Sequence, residues 1–138
     1  MARSIPITVR LNEGQIGEIA GMAKRSNKTP SRVTSELVDE GLRMRRFPGI
    51  SFTDGAAGRR ATLSGTGLDV WEVALVHRDC SSRSEDTLAV IPQVSPAQLA
   101  LALAYADSFP DEIDAWLSET AKAPVEWKKA FPTLRSDS

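Results

Sequence analysis

The residues in this chain that could do covalent chemistry are few, and they are spaced poorly for it. His77, Asp79 and Cys80 bring a base, a carboxylate and a nucleophile close together in sequence. A cysteine–histidine pair has to converge in space, and residues three apart on a helix share a face only loosely. His77 therefore reads as a surface or half-buried histidine. "GAAG" at 55–58 and "GTG" at 65–67 lack the lysine of a phosphate loop and the full dinucleotide fingerprint, so they read as turn glycines. The acids of "PDEID" at 110–114 suit the first turn of a helix, where the dipole favours negative charge. One cysteine and one histidine leave no zinc cluster and no internal disulfide. The expectation is a protein that is not an enzyme and carries no metal and no cofactor.

Charge is more informative than reactive groups. The formal net charge of the 138 residues is −1, but it is unevenly spread. Residues 1–46 hold nine Lys and Arg against five Asp and Glu, residues 47–121 hold four against eleven, and residues 122–138 hold four against two. A basic head on an acidic body suggests separate tasks, with the head meeting a polyanion and the body meeting something else. The length suits two small units. There is no apolar run of about 18 residues and no signal-peptide core after Met1, so a cytoplasmic chain without membrane contact is expected.

In the head, "SIPITVRLN" at 4–12 alternates in the manner of a strand. Ile5, Ile7, Val9 and Leu11 share one face, and Pro6, Thr8 and Arg10 share the other. Asn12 and Gln15 are spaced as a capping box for a first helix, whose apolar positions are Ile16, Ile19, Ala20 and Ala23. "RSNKT" ends that helix. Thr29 and Pro30 then read as the N-cap and first residue of a second helix, with Val33, Leu37, Val38, Gly41 and Leu42 as its stripe and "RMRR" at its positive end. A unit of this size buries too little core alone, and an isolated strand leaves its backbone unpaired, so it should dimerise. If two copies pair antiparallel about Thr8, positions 6, 8 and 10 can all be non-hydrogen-bonded, and Pro6 costs no ladder bond.

On "ITVRLN" and "KTPSRVTSELVDEGL", residues 4–46 resemble the ribbon-helix-helix family of DNA-binding proteins, the class of Arc, MetJ and CopG. The resemblance implies a swapped dimer whose outward strand face enters the major groove, with Thr8 and Arg10 against base edges and Pro6 at the third outward position. An arginine fork can bond guanine O6 and N7 together, and a threonine offers a hydroxyl and a methyl. Pro6 departs from the pattern because it has no polar side-chain group, and Arg3 or Ser4 would compensate at the ribbon end. The resemblance also implies backbone phosphate contacts at the start of the second helix, from Lys28, Thr29, Ser31 and Arg32.

"RFPG" at 46–49 punctuates the chain, and the boundary is expected at Phe47. A hairpin over about 50–64 follows. Asp69 is placed to cap a helix reaching about Arg78, and Ser84 to cap a short one ending before Pro92. Ser95, Pro96 and Gln98 open "AQLALALAYA", which is apolar almost all round and expected to be central and buried. A last helix starts after Pro110. On "LSGTGLDVWEV" and "PQVSPAQLALALAYADSFPDEIDAWL", residues 48–117 resemble the domain of unknown function 433 family, although Gly67 and Leu68 stand where that family has arginine and isoleucine. That resemblance implies a small helix-turn-helix or winged-helix-like body and an antitoxin role towards a PIN-like ribonuclease toxin. An acidic body meets phosphate poorly, which points it towards protein.

The tail, 122–138, places Trp127 and Phe131 four residues apart beside Lys128, Lys129 and Arg135. It could dock on the partner or fold back on its own domain. The whole reads as an α+β, mainly helical chain: a ribbon-helix-helix dimer head at 1–46, a helical body with a β-hairpin at 47–121, and the tail. The expected partners are double-stranded operator DNA, a PIN-like toxin and a second copy, or a higher even oligomer. The function expected is a DNA-binding antitoxin that represses its own operon. The alternatives are a stand-alone regulator whose body senses a ligand or oligomerises, and an adaptor whose ribbon only dimerises.

Overall fold

Helix α1 (Glu13–Ser26) begins where Asn12 and Gln15 cap each other. The Gln15 N–H donates to Asn12 Oδ1 at 2.8 Å and the Asn12 N–H to Gln15 Oε1 at 3.0 Å, which satisfies donors that a helix start leaves open. The helix ends at Asn27, in the left-handed conformation at φ 56°, whose N–H reaches the Ala23 and Lys24 carbonyls. Thr29 Oγ1 then accepts from the Arg32 N–H at 3.1 Å, and Pro30 opens helix α2 (Pro30–Arg46), where its missing N–H is no loss.

The computed structural model describes residues 3–55 and 58–122, and the chain divides into two compact units, Met1–Leu42 and Arg43–Ser138. The division falls inside α2, four residues ahead of the expected Phe47. Arg43 belongs with the second unit because its side chain is bonded there.

In the first unit the expected strand is not formed within the single chain. Residues 3–11 are neither helix nor strand, and Ile5, Ile7 and Val9 are 78 %, 84 % and 60 % exposed. A ladder needs a second strand, and no described segment of this chain supplies one. The buried apolar side chains of this unit are Ala23 and Val33.

Among the described residues the second unit is a three-stranded antiparallel sheet and four helices. Strand β1 (Ile50–Gly55) pairs with β2 (Gly58–Leu63) from Ile50 opposite Leu63 to Gly55 opposite Gly58, the hairpin the sequence predicts. The two-residue strand β3 (Leu68–Asp69) continues the sheet on the far side of β2 and is absent from the sequence reading. Helix α3 (Val70–Asp79) is the centre of the packing, lying against β2, β3, α4 (Ser84–Val90), α5 (Pro96–Ser108) and α6 (Pro110–Lys122). The core is built on Leu63, Val70, Trp71, Val73, Ile91 and Tyr105, all essentially without solvent contact. Trp71 stacks on Trp116 with centroids 6.3 Å apart.

Two local expectations need correction. Ser84 is the first residue of α4, not its cap. Ser81 and Ser82 both take left-handed angles (φ 55° and 60°), and Arg83 supplies the first helical carbonyl, to the Thr87 N–H at 3.0 Å. Helix α5 is buried on one side only: Leu99, Ala102 and Tyr105 face inward while Ala100 and Ala104 are exposed, because alanine tolerates either environment. The Ser95–Gln98 capping box and Pro96 at the first turn of α5 match the sequence reading.

Candidate nucleic-acid interface

The side chains expected at base edges, Pro6, Thr8 and Arg10, are exposed, as are Arg3 and Ser4. Alternation along 3–11 separates them from Ile5, Ile7 and Val9, but in the single chain both sets face water. Helix α2 repeats this pattern. Val33 is buried, whereas Val38 and Leu42, roughly 140° and 180° round the helix from it, are 57 % and 64 % exposed. Such a helix has apolar surface on two sides, and only one of them is covered by its own chain.

The residues expected at phosphates are gathered more tightly than the sequence implied. Lys28 Nζ lies 2.6 Å and 2.8 Å from the two carboxylate oxygens of Glu36, and Arg32 Nε lies 3.8 Å from Glu36 Oε1. Thr29 is occupied as the cap of α2, and Ser31 is exposed. Glu36 was missed as a member of this group. Its i,i+4 spacing to Arg32 is legible in sequence, but its contact with Lys28 depends on the turn between α1 and α2.

Inside the second unit, a polar ring closes around Arg43. Its Nη1 donates to Tyr105 Oη at 2.8 Å and to Glu112 Oε1 at 2.7 Å, while Tyr105 Oη donates to Glu112 Oε2 at 2.7 Å. The guanidinium carbon sits 3.9 Å above the Phe109 ring centroid. Burial opposes the charge of Arg43, yet the hydrogen bonds to Glu112 and Tyr105 outweigh it and raise its pKa. Burial also raises the Tyr105 pKa, helped by the Glu112 carboxylate its hydroxyl donates to and opposed by Arg43. The arginine read from sequence as a helix-end charge is therefore an internal fastener.

Two buried acids, Asp69 and Glu72, stand at the start of α3. Asp69 Oδ2 accepts from Trp71 Nε1 at 3.0 Å and lies 3.4 Å from Arg60 Nε; its backbone N–H donates to Glu72 Oε1 at 2.9 Å. Burial raises the Asp69 pKa against the opposing pull of Arg60 and the Trp71 hydrogen bond.

His77 Nδ1 is hydrogen-bonded to Thr87 Oγ1 at 2.9 Å, and Thr87 Oγ1 also lies 3.0 Å from the Arg83 carbonyl oxygen. That contact orients His77 within the packing of α3 on α4. Among the described residues no group of three or more His, Cys, Asp and Glu could hold a metal ion, and no helix is long and apolar enough to cross a membrane. The tail residues Trp127, Lys128, Lys129, Phe131 and Arg135 lie outside the described residues. No protein-family model matches this chain, and neither a curated protein nor a solved structure matches it.

Proposed function

We propose that this chain is a dimeric DNA-binding antitoxin: a ribbon-helix-helix head, swapped between two copies, reads an operator, and a helix-turn-helix or winged-helix-like acidic body neutralises a PIN-like ribonuclease toxin. The observation that carries the reading is the exposure of nearly all the apolar side chains of the first unit, Ile5, Ile7, Val9, Val38 and Leu42 among them. Full burial of such a side chain contributes about 1.5–3 kcal/mol. A second copy offers that burial and also the missing ladder partner for residues 4–12. The shared ribbon then turns Ile5, Ile7 and Val9 inward, and a double row of Pro6, Thr8 and Arg10 faces out.

Exposed arginine and threonine on a two-stranded ribbon suit the major groove, which admits such a ribbon and presents guanine O6 and N7 to a guanidinium fork. Residues 47–121 carry eleven acids against four basic residues, which directs this part of the chain to a protein partner. Binding toxin and operator on one chain links the two equilibria, so toxin abundance alters repression.

The test is a mobility-shift titration of duplex from upstream of the chain's own coding sequence, with wild type and Arg10→Ala, beside co-expression with the neighbouring gene product. Specific binding that Arg10→Ala weakens by about 1–3 kcal/mol is expected, together with rescue of growth and a stable complex. A variant that binds as wild type does, or a wild type that binds no DNA, contradicts the head's role. A neighbour that neither binds nor harms growth contradicts the body's role.

A further inference from the structure

We infer that Glu36 limits the affinity of the head for DNA by holding Lys28 in an internal ion pair that a phosphate has to displace. The inference rests on the reading of the first unit as a DNA-binding head, and it adds a residue which that reading does not contain. Lys28 gives hydrogen bonds to both oxygens of Glu36, at 2.6 Å and 2.8 Å, and the two side chains are 32 % and 33 % exposed. Arg32 approaches the same carboxylate at 3.8 Å from an open position. The three side chains therefore act as one group with a single net positive charge, not as two free cations.

Counter-ion release makes each neutralised phosphate visible in the salt dependence, at about 0.9 in the slope of log affinity against log salt. A lysine already neutralised by a carboxylate contributes little to that slope. When DNA arrives, Lys28 must either keep Glu36 and leave the phosphate, or exchange one oxygen ligand for another and leave Glu36 bare beside a polyanion. Both outcomes weaken the complex relative to a head without that carboxylate. The arrangement keeps the operator complex readily reversible, which suits a protein that must also release DNA in response to a second partner.

The test uses the full chain and fluorescence anisotropy on the chain's own upstream duplex and on a scrambled duplex, across a salt series. Glu36→Gln is expected to bind both roughly two- to fivefold more tightly than wild type, the size of one half-exposed ion pair. Its salt slope should steepen by about one. Lys28→Met is expected to cost more affinity in the Glu36→Gln background than in wild type, because only there is the lysine free beforehand. Circular dichroism melts of each variant verify that the helices are intact. Wild-type binding with an unchanged or weaker Glu36→Gln complex overturns the inference alone, as does an equal Lys28→Met cost in both backgrounds. Absence of salt-dependent DNA binding in every variant overturns the inference and the DNA-binding reading together.

Discussion

Arg43 and Glu112 are 69 residues apart in sequence and meet at 2.7 Å, Nη1 to Oε1, inside the second unit. Tyr105 closes the ring, accepting from Arg43 and donating to Glu112. Nothing in the local pattern of "RMRR" distinguishes Arg43 from its neighbours; the distinction arises when α5 and α6 bring Tyr105, Phe109 and Glu112 to one place.

The ring gives a pH dependence whose sign is fixed. The Tyr105 phenol has its pKa raised above the ordinary 10.0, first by burial and then by the Glu112 carboxylate. A raised pKa in the folded state means that the group's contribution to stability is fully present below pH 10.0 and is lost as the pH rises towards the folded value. Stability measured by denaturant unfolding is expected to fall above that pH, and Tyr105→Phe to lose this share of the fall. At neutral pH the substitution is expected to cost about 1–3 kcal/mol, because Arg43 and Glu112 each lose a partner. Equal alkaline profiles for variant and wild type would contradict it.

Asp69 gives a second dependence, in the acid range. Burial lifts its carboxyl above 3.8 despite Arg60 and the Trp71 hydrogen bond. Its contribution is present below 3.8 and lost as the pH rises through its raised midpoint, opposite to that of a carboxylate held by a strong ion pair. Carbon-detected NMR titration is expected to place the Asp69 midpoint above the ordinary 3.8. Asp69→Asn should remove the same contribution from the stability profile. A midpoint at or below the ordinary value would show that Arg60 dominates burial.

Gly49 is a test of packing at the boundary turn. It takes φ +110°, and a Cβ built there would lie 2.7 Å from Leu101 Cδ2. Gly49→Ala combines backbone strain with a clash against a side chain of α5, and a cost of about 1–3 kcal/mol is expected in equilibrium unfolding. Adding Leu101→Ala should relieve the clash but not the strain, so that the double substitution costs less than the sum of the two single ones. A neutral Gly49→Ala would contradict the backbone strain at this turn.

Local chemistry made much of this legible in sequence. Asn12 with Gln15, Thr29 with Pro30 and Ser95 with Gln98 mark helix starts through short-range hydrogen bonds, and each is found as spaced. The glycines flanking the hairpin loop do the same for β1 and β2. Strand β3 was not legible, because two residues carry no period and Leu68–Asp69 becomes a strand only against β2. Lys28 and Arg32 were legible as cations, but Glu36 as the partner of Lys28 was not, since eight residues and a turn separate the two. Residues 4–12 are the reverse case: their alternation is plain in sequence, no strand forms there within the single chain, and the pairing proposed for them requires a second copy.

That pairing is also the most direct point of attack. In the expected register the two Thr8 residues face each other as a non-hydrogen-bonded antiparallel pair, with Cα atoms about 4.5 Å apart, inside the range of about 4.4–6.8 Å that a disulfide bridges. Thr8→Cys in a Cys80→Ser background, mildly oxidised, is therefore expected to form a covalent dimer rapidly and almost completely. Thr29→Cys in the same background serves as an exposed control away from the ribbon. A Thr8→Cys chain that stays monomeric, or links no faster than Thr29→Cys, would contradict the shared ribbon on which the DNA-binding reading rests.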